Sequence, residues 1–265
     1  MKISKMIDEI DITRAIIEGY IEDFLKNIDI DVAIAGAGPS GMVAAYYLAK
    51  NGYHVAIFER KLSIGGGMLG GGMMFSKIVV QEETIPIIEE FGIGYTKYKN
   101  LYLLDALEAA SSLCLSAIKS GAKIFNVITV EDVLFRDTKI EGLVLNWSPV
   151  DMANLHIDPL SIRSKMVIDA TGHAADITRI VERKMGKCLA TETGGIMGEK
   201  SMWAEKGEQE IMANTKEVYP GLVVTGMAAN AVSGSPRMGA IFGGMLLSGK
   251  KAAEVVIDKL KSGQK

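Results

Sequence analysis

The chain has 265 residues, 48% hydrophobic and 23% charged, enough apolar material to bury a sizeable core in one compact domain with an inserted or appended layer. A formal net charge of -3 and an isoelectric point near 5.7 exclude the basic footprint of a nucleic-acid binder. No run of Lys and Arg marks a membrane surface, and no apolar stretch reaches the roughly 18 residues of a membrane span, so small-molecule chemistry is favoured.

The first 31 residues mix charges and lack the apolar core of a signal peptide. Within them Ile10, Ala15, Ile16, Tyr20, Ile21, Phe24 and Leu25 recur at helical spacing, which predicts an amphipathic helix packed on something, another subunit included. Ile30 to Ala35 predicts a strand, Pro39 to Asn51 a helix closed by Gly52, and Val55 to Phe58 a second strand, together one βαβ unit. Two glycine clusters, Gly65 to Gly67 and Gly70 to Gly72, then sit among Met68, Met73 and Met74, as backbone does that approaches a ligand or turns tightly. Leu103 to Ser120 predicts a helix ending at Gly121. Lys123 to Phe135 and Ile140 to Asn146 predict strands around a turn at Asp137-Thr138, an antiparallel layer inserted into a parallel sheet. Lys165 to Ala170 predicts another strand, followed by a helix over Ala174 to Lys184. Gly221 to Gly226 predicts the last strand and Met238 to Lys259 the last helix. The expected organisation is a helix over 1–28, an α/β core over 29–260 and a loose tail over 261–265.

Gly36-Ala37-Gly38-Pro39-Ser40-Gly41 matches GxGxxG between a predicted strand and a predicted helix. Gly36 allows the tight turn, Gly38 lets backbone approach a pyrophosphate, and Gly41 lets helix and strand pack closely, while the helix N-terminus offers free amides to phosphate. Glu59 ends the second strand, where a carboxylate accepts hydrogen bonds from the adenosine ribose and disfavours a 2′-phosphate. NAD, FAD or an ADP-ribose derivative therefore fits better than NADP.

The chain has three histidines, and His54, expected mid-strand, is most simply structural. His156 and Asp158 precede the Lys165 to Ala170 strand, and His173 follows its C-terminal end, the edge where open α/β sheets place ligands. Imidazole plus carboxylate suits Fe(II) or a similar ion with open positions, although a polar turn with a capping histidine has the same pattern. Arg237, taken as lying near a helix start, is placed to hold a carboxylate in a two-pronged pair, since the helix dipole disfavours a merely structural cation there. The two cysteines, Cys114 and Cys188, form neither a CxxC motif nor a disulfide framework, consistent with a reducing cytoplasm.

Taken together, the Gly36 fingerprint, Glu59-Arg60, the Gly65 to Gly72 loop, His156-Ile157-Asp158-Pro159, Thr171-Gly172-His173 and the Gly226 to Gly239 segment resemble the Thi4 family of thiazole synthases, from about Ile7 to Ala253. The resemblance implies a Rossmann-like fold of the glutathione-reductase flavoprotein type, carrying the inserted antiparallel layer. It implies that NAD is consumed as a substrate, joined with glycine and a sulfur source into an adenylated thiazole carboxylate for thiamine synthesis. It implies nucleotide contacts at Ser40, Glu59, Arg60, Gly67, Val130 and Met227, iron at Asp158 and His173 drawn from one subunit or two, the glycine carboxylate at Arg237, and a homo-oligomer, typically an octamer. In eukaryotic members a cysteine occupies the position of His156 and gives up its own sulfur. Imidazole has none to give, so His156 implies the archaeal type that uses free sulfide over many turnovers. An FAD-dependent oxidoreductase and a non-catalytic dinucleotide sensor are the competing possibilities.

Overall fold

The computed structural model describes residues 7–262. Helix α1 (Glu9–Lys26) starts at Asp8, whose carboxylate accepts hydrogen bonds from the amides of Ile10 and Asp11 at 2.7 and 3.4 Å. Strand β1 (Asp29–Ala35), helix α2 (Pro39–Lys50) and strand β2 (Val55–Glu59) form the expected βαβ unit. His54 falls just ahead of β2 rather than within it, with its Nε2 3.1 Å from Asn27 Oδ1, a structural role.

A 3-10 turn at Gly66–Gly70 leads to β3 (Lys77–Val80), α3 (Ile85–Glu90), β4 (Tyr95–Tyr98) and β5 (Leu101–Asp105). Strands β3, β5 and β4 make a small antiparallel sheet absent from the sequence expectations. Helix α4 (Ala106–Lys119) begins later than expected. Asp105 accepts from the amides of Leu107 at 3.0 Å and Glu108 at 3.1 Å, and this cap leaves Leu103 to Asp105 in a strand.

The strand expected over Lys123 to Phe135 is two. Val127 takes a left-handed backbone conformation, φ 61°, so β6 (Lys123–Asn126) stays parallel to β2 while β7 (Ile128–Arg136) turns away to pair with β8 (Lys139–Trp147). After α5 (Ser148–Met152) comes β9 (Leu160–Asp169), whose first half pairs antiparallel with β8 and whose second half joins the parallel sheet, so the expected inserted layer is continuous with the main sheet. Helices α6 (Asp176–Met185) and α7 (Ala204–Asn214), strands β10 (Glu217–Tyr219) and β11 (Leu222–Val224), and helices α8 (Met227–Ser233) and α9 (Gly243–Ser262) complete the chain. Helix α9 starts five residues after the expected Met238. It also includes Lys261 and Ser262, assigned to the tail above; the rest of that tail lies outside the described residues.

The main sheet runs β10-β11-β9-β1-β2-β6, with β1 central. Side chains alternate along β1, so Val32 and Ile34 join one buried core with Val43, Leu113 and Val256 from α2, α4 and α9. Ala33 and Ala35 face a second core with Ile177, Val181 and Val232 from α6 and α8. Covered on both faces, the sheet exposes its strand ends to ligands. No helix among the described residues is long and apolar enough to cross a membrane.

Candidate dinucleotide and metal site

At the carboxyl end of β1 the chain turns at Gly36, φ 101°, where a side-chain Cβ would fall 2.5 Å from the Ala170 carbonyl oxygen. At Gly41 a Cβ would fall 2.2 Å from the Gly36 carbonyl oxygen, so helix α2 packs against the loop only without a side chain there. Around Gly38 and Gly67 the same construction meets nothing within 4 Å, which leaves open space beside the loop. Helix α2 is capped at Gly38 without any side-chain hydrogen bond, so its first amides, Ser40 included, are available to an anion. Gly67 lies in the 3-10 turn that is tied to the loop by the Gly65 amide donating to the Ala37 carbonyl at 2.8 Å.

Glu59 is buried and its two oxygens accept from the amides of Ala37 and Lys61, both at 2.8 Å. A carboxylate has about four acceptor positions, so each oxygen keeps one for a ribose hydroxyl. The same residue therefore shapes the loop and could also accept from a ligand. Arg60 pairs with Asp176 at 3.2 Å, and burial pushes the Asp176 carboxyl above its ordinary range. Met227 is the buried first residue of α8, behind Gly226, whose Cβ would fall 2.4 Å from the Ser40 hydroxyl. Val130 is half-buried on β7, near the β6 end that pairs Asn126 with Glu59.

Strand β9 ends in Asp169, fully buried and invisible as a functional residue in the sequence except as a carboxylate closing an apolar strand. Its Oδ1 accepts from the Thr171 amide at 3.1 Å and hydroxyl at 2.6 Å, and its Oδ2 from the Thr178 amide at 2.9 Å and hydroxyl at 2.8 Å. Four donors hold the turn that carries His173, which is exposed. Its Nδ1 stands 2.5 Å from Oε1 of Glu199, a residue that no sequence signal linked to it. The segment after Glu199 is bonded to the one carrying Arg237, through the Arg237 amide to the Lys200 carbonyl at 3.1 Å and the Trp203 amide to the Arg237 carbonyl at 3.0 Å. Arg237 is exposed and six residues ahead of α9, so the dipole argument made for it from sequence does not apply.

His156 and Asp158 sit apart from all of this. Every residue from Asp151 to Leu160 is exposed, and Asp158 edges a small hollow between Phe24, Trp147 and Leu160. Asp158 and His173 flank opposite ends of β9, a strand of ten residues or roughly 30 Å. One chain cannot place both on one ion, and no group of three or more His, Cys, Asp or Glu that could hold a metal occurs among the described residues. A larger surface hollow between Tyr47, Asn51 and Lys250 lies at the far end of α2 and touches none of these groups.

The parallel sheet, the glycine loop and the buried carboxylate that ends β2 define an α/β protein of the Rossmann-type class. A solved geranylgeranyl bacteriochlorophyll reductase-like protein of Thermoplasma acidophilum shares this fold at 15% identity and a TM-score of 0.55, over 89% of this chain and 79% of that one. The Thi4 family model matches residues 13–242, and the chain belongs to the Thi4 family. It is 59% identical to the thiamine thiazole synthase of Methanothermobacter thermautotrophicus, over 96% of this chain and 99% of that protein. It is 50% identical to THI4 of Thermovibrio ammonificans, whose crystal structure superposes with a TM-score of 0.95 and covers 97% of this chain and 100% of that one.

Proposed function

We propose that this chain is a thiamine thiazole synthase that builds an adenylated thiazole carboxylate from NAD, glycine and free sulfide with Fe(II), as a cytoplasmic homo-oligomer. The observation that carries the proposal is the meeting, at one sheet edge, of a nucleotide cradle with the His173–Glu199 pair, bonded through backbone to the Arg237 segment.

In this scheme the amides of α2 and the Glu59 carboxylate hold the ADP portion, with Ser40, Arg60, Gly67, Val130 and Met227 around it. The reacting ribose then points past the loop toward His173. NAD loses nicotinamide, and the opened sugar condenses with glycine, whose carboxylate Arg237 holds in a two-pronged pair. Asp158 and His173 would hold the iron, which supplies Lewis acidity and a sulfide carrier. The donor chemistry fits a first-row ion, since His173 uses Nδ1 toward Glu199 and keeps Nε2 for a ligand. Because β9 separates the two residues, Asp158 comes from a neighbouring subunit. That geometry suits the exposed apolar surface around it, formed by Met152, Leu155, Ile157 and Leu160, and along α1, where Ile10, Ile16, Ile17, Ile21 and Leu25 are uncovered.

The sulfur source follows from this chain's own residues. His156 carries no sulfur, and burial pushes the thiols of both Cys114 and Cys188 up, away from the thiolate form that a donor needs. These residues support external sulfide as the source.

The experiment is anaerobic incubation of the purified protein with NAD, glycine, Fe(II) and sulfide, followed by mass analysis. The expected result is an adenylated thiazole together with released nicotinamide. A stoichiometric flavin spectrum, or nicotinamide retained in NAD with no thiazole formed, overturns the proposal.

A further inference from the structure

We propose that Glu199 is a positioning residue for His173: it holds the imidazole as the tautomer protonated at Nδ1 and so reserves the Nε2 lone pair for a metal ion. The tautomer half of this stands on the structure alone, and the metal half rests on the function proposed above.

A histidine in water exchanges between two tautomers, and which nitrogen stays free is set by the hydrogen bond that the other makes. Here the partner is a carboxylate oxygen, which accepts, and this assigns the donor role to the nitrogen 2.5 Å away. Both ends of the bond are fixed independently. His173 sits on the turn anchored by Asp169 and Thr171, and two residues on Ala175, buried and left-handed at φ 45°, closes the turn by donating to the Gly172 carbonyl at 3.0 Å. Glu199 sits between the Gly198 amide, which donates to the Ala231 carbonyl at 3.0 Å, and the Lys200 amide, which donates to the Ser235 carbonyl at 3.1 Å. Its side chain is only 20% exposed, against 50% for the imidazole, so the carboxylate is the sheltered partner and the ring the one presented outward. Two mobile surface side chains would give a pair of little consequence. Two anchored ones set an orientation, as outer-shell carboxylates do for metal-ligating histidines.

The test uses nitrogen NMR on full-length, metal-free protein labelled at histidine, at a pH where imidazole is neutral. The signal of His173 is identified by its absence from His173→Ala. The expected result is an Nδ1-protonated ring in the parent and in Glu199→Gln, whose amide oxygen still accepts, and a shift toward the Nε2-protonated form in Glu199→Ala. Titration with Co(II), followed by its visible absorption, is expected to show binding weakened by about 10- to 100-fold in Glu199→Ala and largely restored in Glu199→Gln. An unchanged tautomer in Glu199→Ala overturns the proposal. If the tautomer shifts as expected while the parent protein binds no Co(II), the positioning role stands and the metal assignment falls.

Discussion

At its C-terminal end β9 delivers Asp169 into a closed set of four hydrogen bonds, next to a glycine loop whose carboxylate, Glu59, is also buried and bonded. At its N-terminal end the same strand emerges from a ten-residue exposed stretch with Leu155, Ile157 and Leu160 facing outward beside Asp158. The first end is finished by the chain itself: all four hydrogen bonds to Asp169 are made within it, and the non-glycine residue held left-handed there is Ala175. The second end leaves apolar surface uncovered, the reverse of what a lone chain gains from folding. The proposed nucleotide cradle is thus built into one chain, while the Asp158 half of the proposed metal site calls for a second copy.

The largest expected effect separates these two ends directly. Asp158→Ala and His173→Ala should each abolish thiazole formation, yet their co-expression should restore about a quarter of the activity if one site draws on two chains at random. Absence of any recovery in the mixed oligomer would place both residues in sites built from single chains and break the comparison.

Damage to the finished end should read out as stability. Gly41→Ala would set a Cβ 2.2 Å from the Gly36 carbonyl oxygen, a clash expected to cost about 3 kcal/mol and to lower the thermal unfolding midpoint by about 10 °C. Asp169→Asn would turn an amide NH2 toward donors that now face an oxygen, for a loss of roughly 2 kcal/mol by denaturant unfolding, with the His173 turn loosened before the rest of the sheet. Amide hydrogen exchange along Thr171 to Ala175 checks the second part.

The smallest effect is pH-dependent and lies at α9. Glu208 is largely buried, with Oε2 accepting from Gln81 and from the Gly244 amide at 2.7 Å, and with Oε1 unpartnered. Burial pushes its carboxyl above the ordinary value of 4.5, against the opposing pull of those hydrogen bonds. A raised folded-state value means that the neutral form is favoured on folding. The stability it contributes is complete below pH 4.5 and is lost as pH rises through the folded value. Glu208→Gln, which stays neutral and keeps an acceptor oxygen for the Gly244 amide, should stabilise the protein by on the order of 1 kcal/mol at neutral pH. The gain should shrink on acidification; a gain that grows as pH falls would contradict the assignment.

The sequence by itself determined the βαβ unit, the glycine fingerprint, Glu59 and the place of His173 past a strand end. These features are local: strand, turn and helix are contiguous, and Gly41 meets the Gly36 carbonyl five residues away, although Gly36 also abuts Ala170 from β9's end. Tertiary structure decided what depends on distant partners. Val127 breaks a continuous β pattern because β6 must pair with β2 while β7 leaves for β8, and α9 begins at Gly243 rather than Met238, where the Gly244 amide meets Glu208 from α7. Asp169 became an anchor through Thr178, and Glu199 became the partner of His173 only when the fold brought residues 26 apart to 2.5 Å. Sequence spacing also placed His156, Asp158 and His173 around one strand, but the length of that strand showed that spacing is not proximity. A strand holds its two ends apart by its own rise per residue, so what meets at either end is settled by the elements packed there.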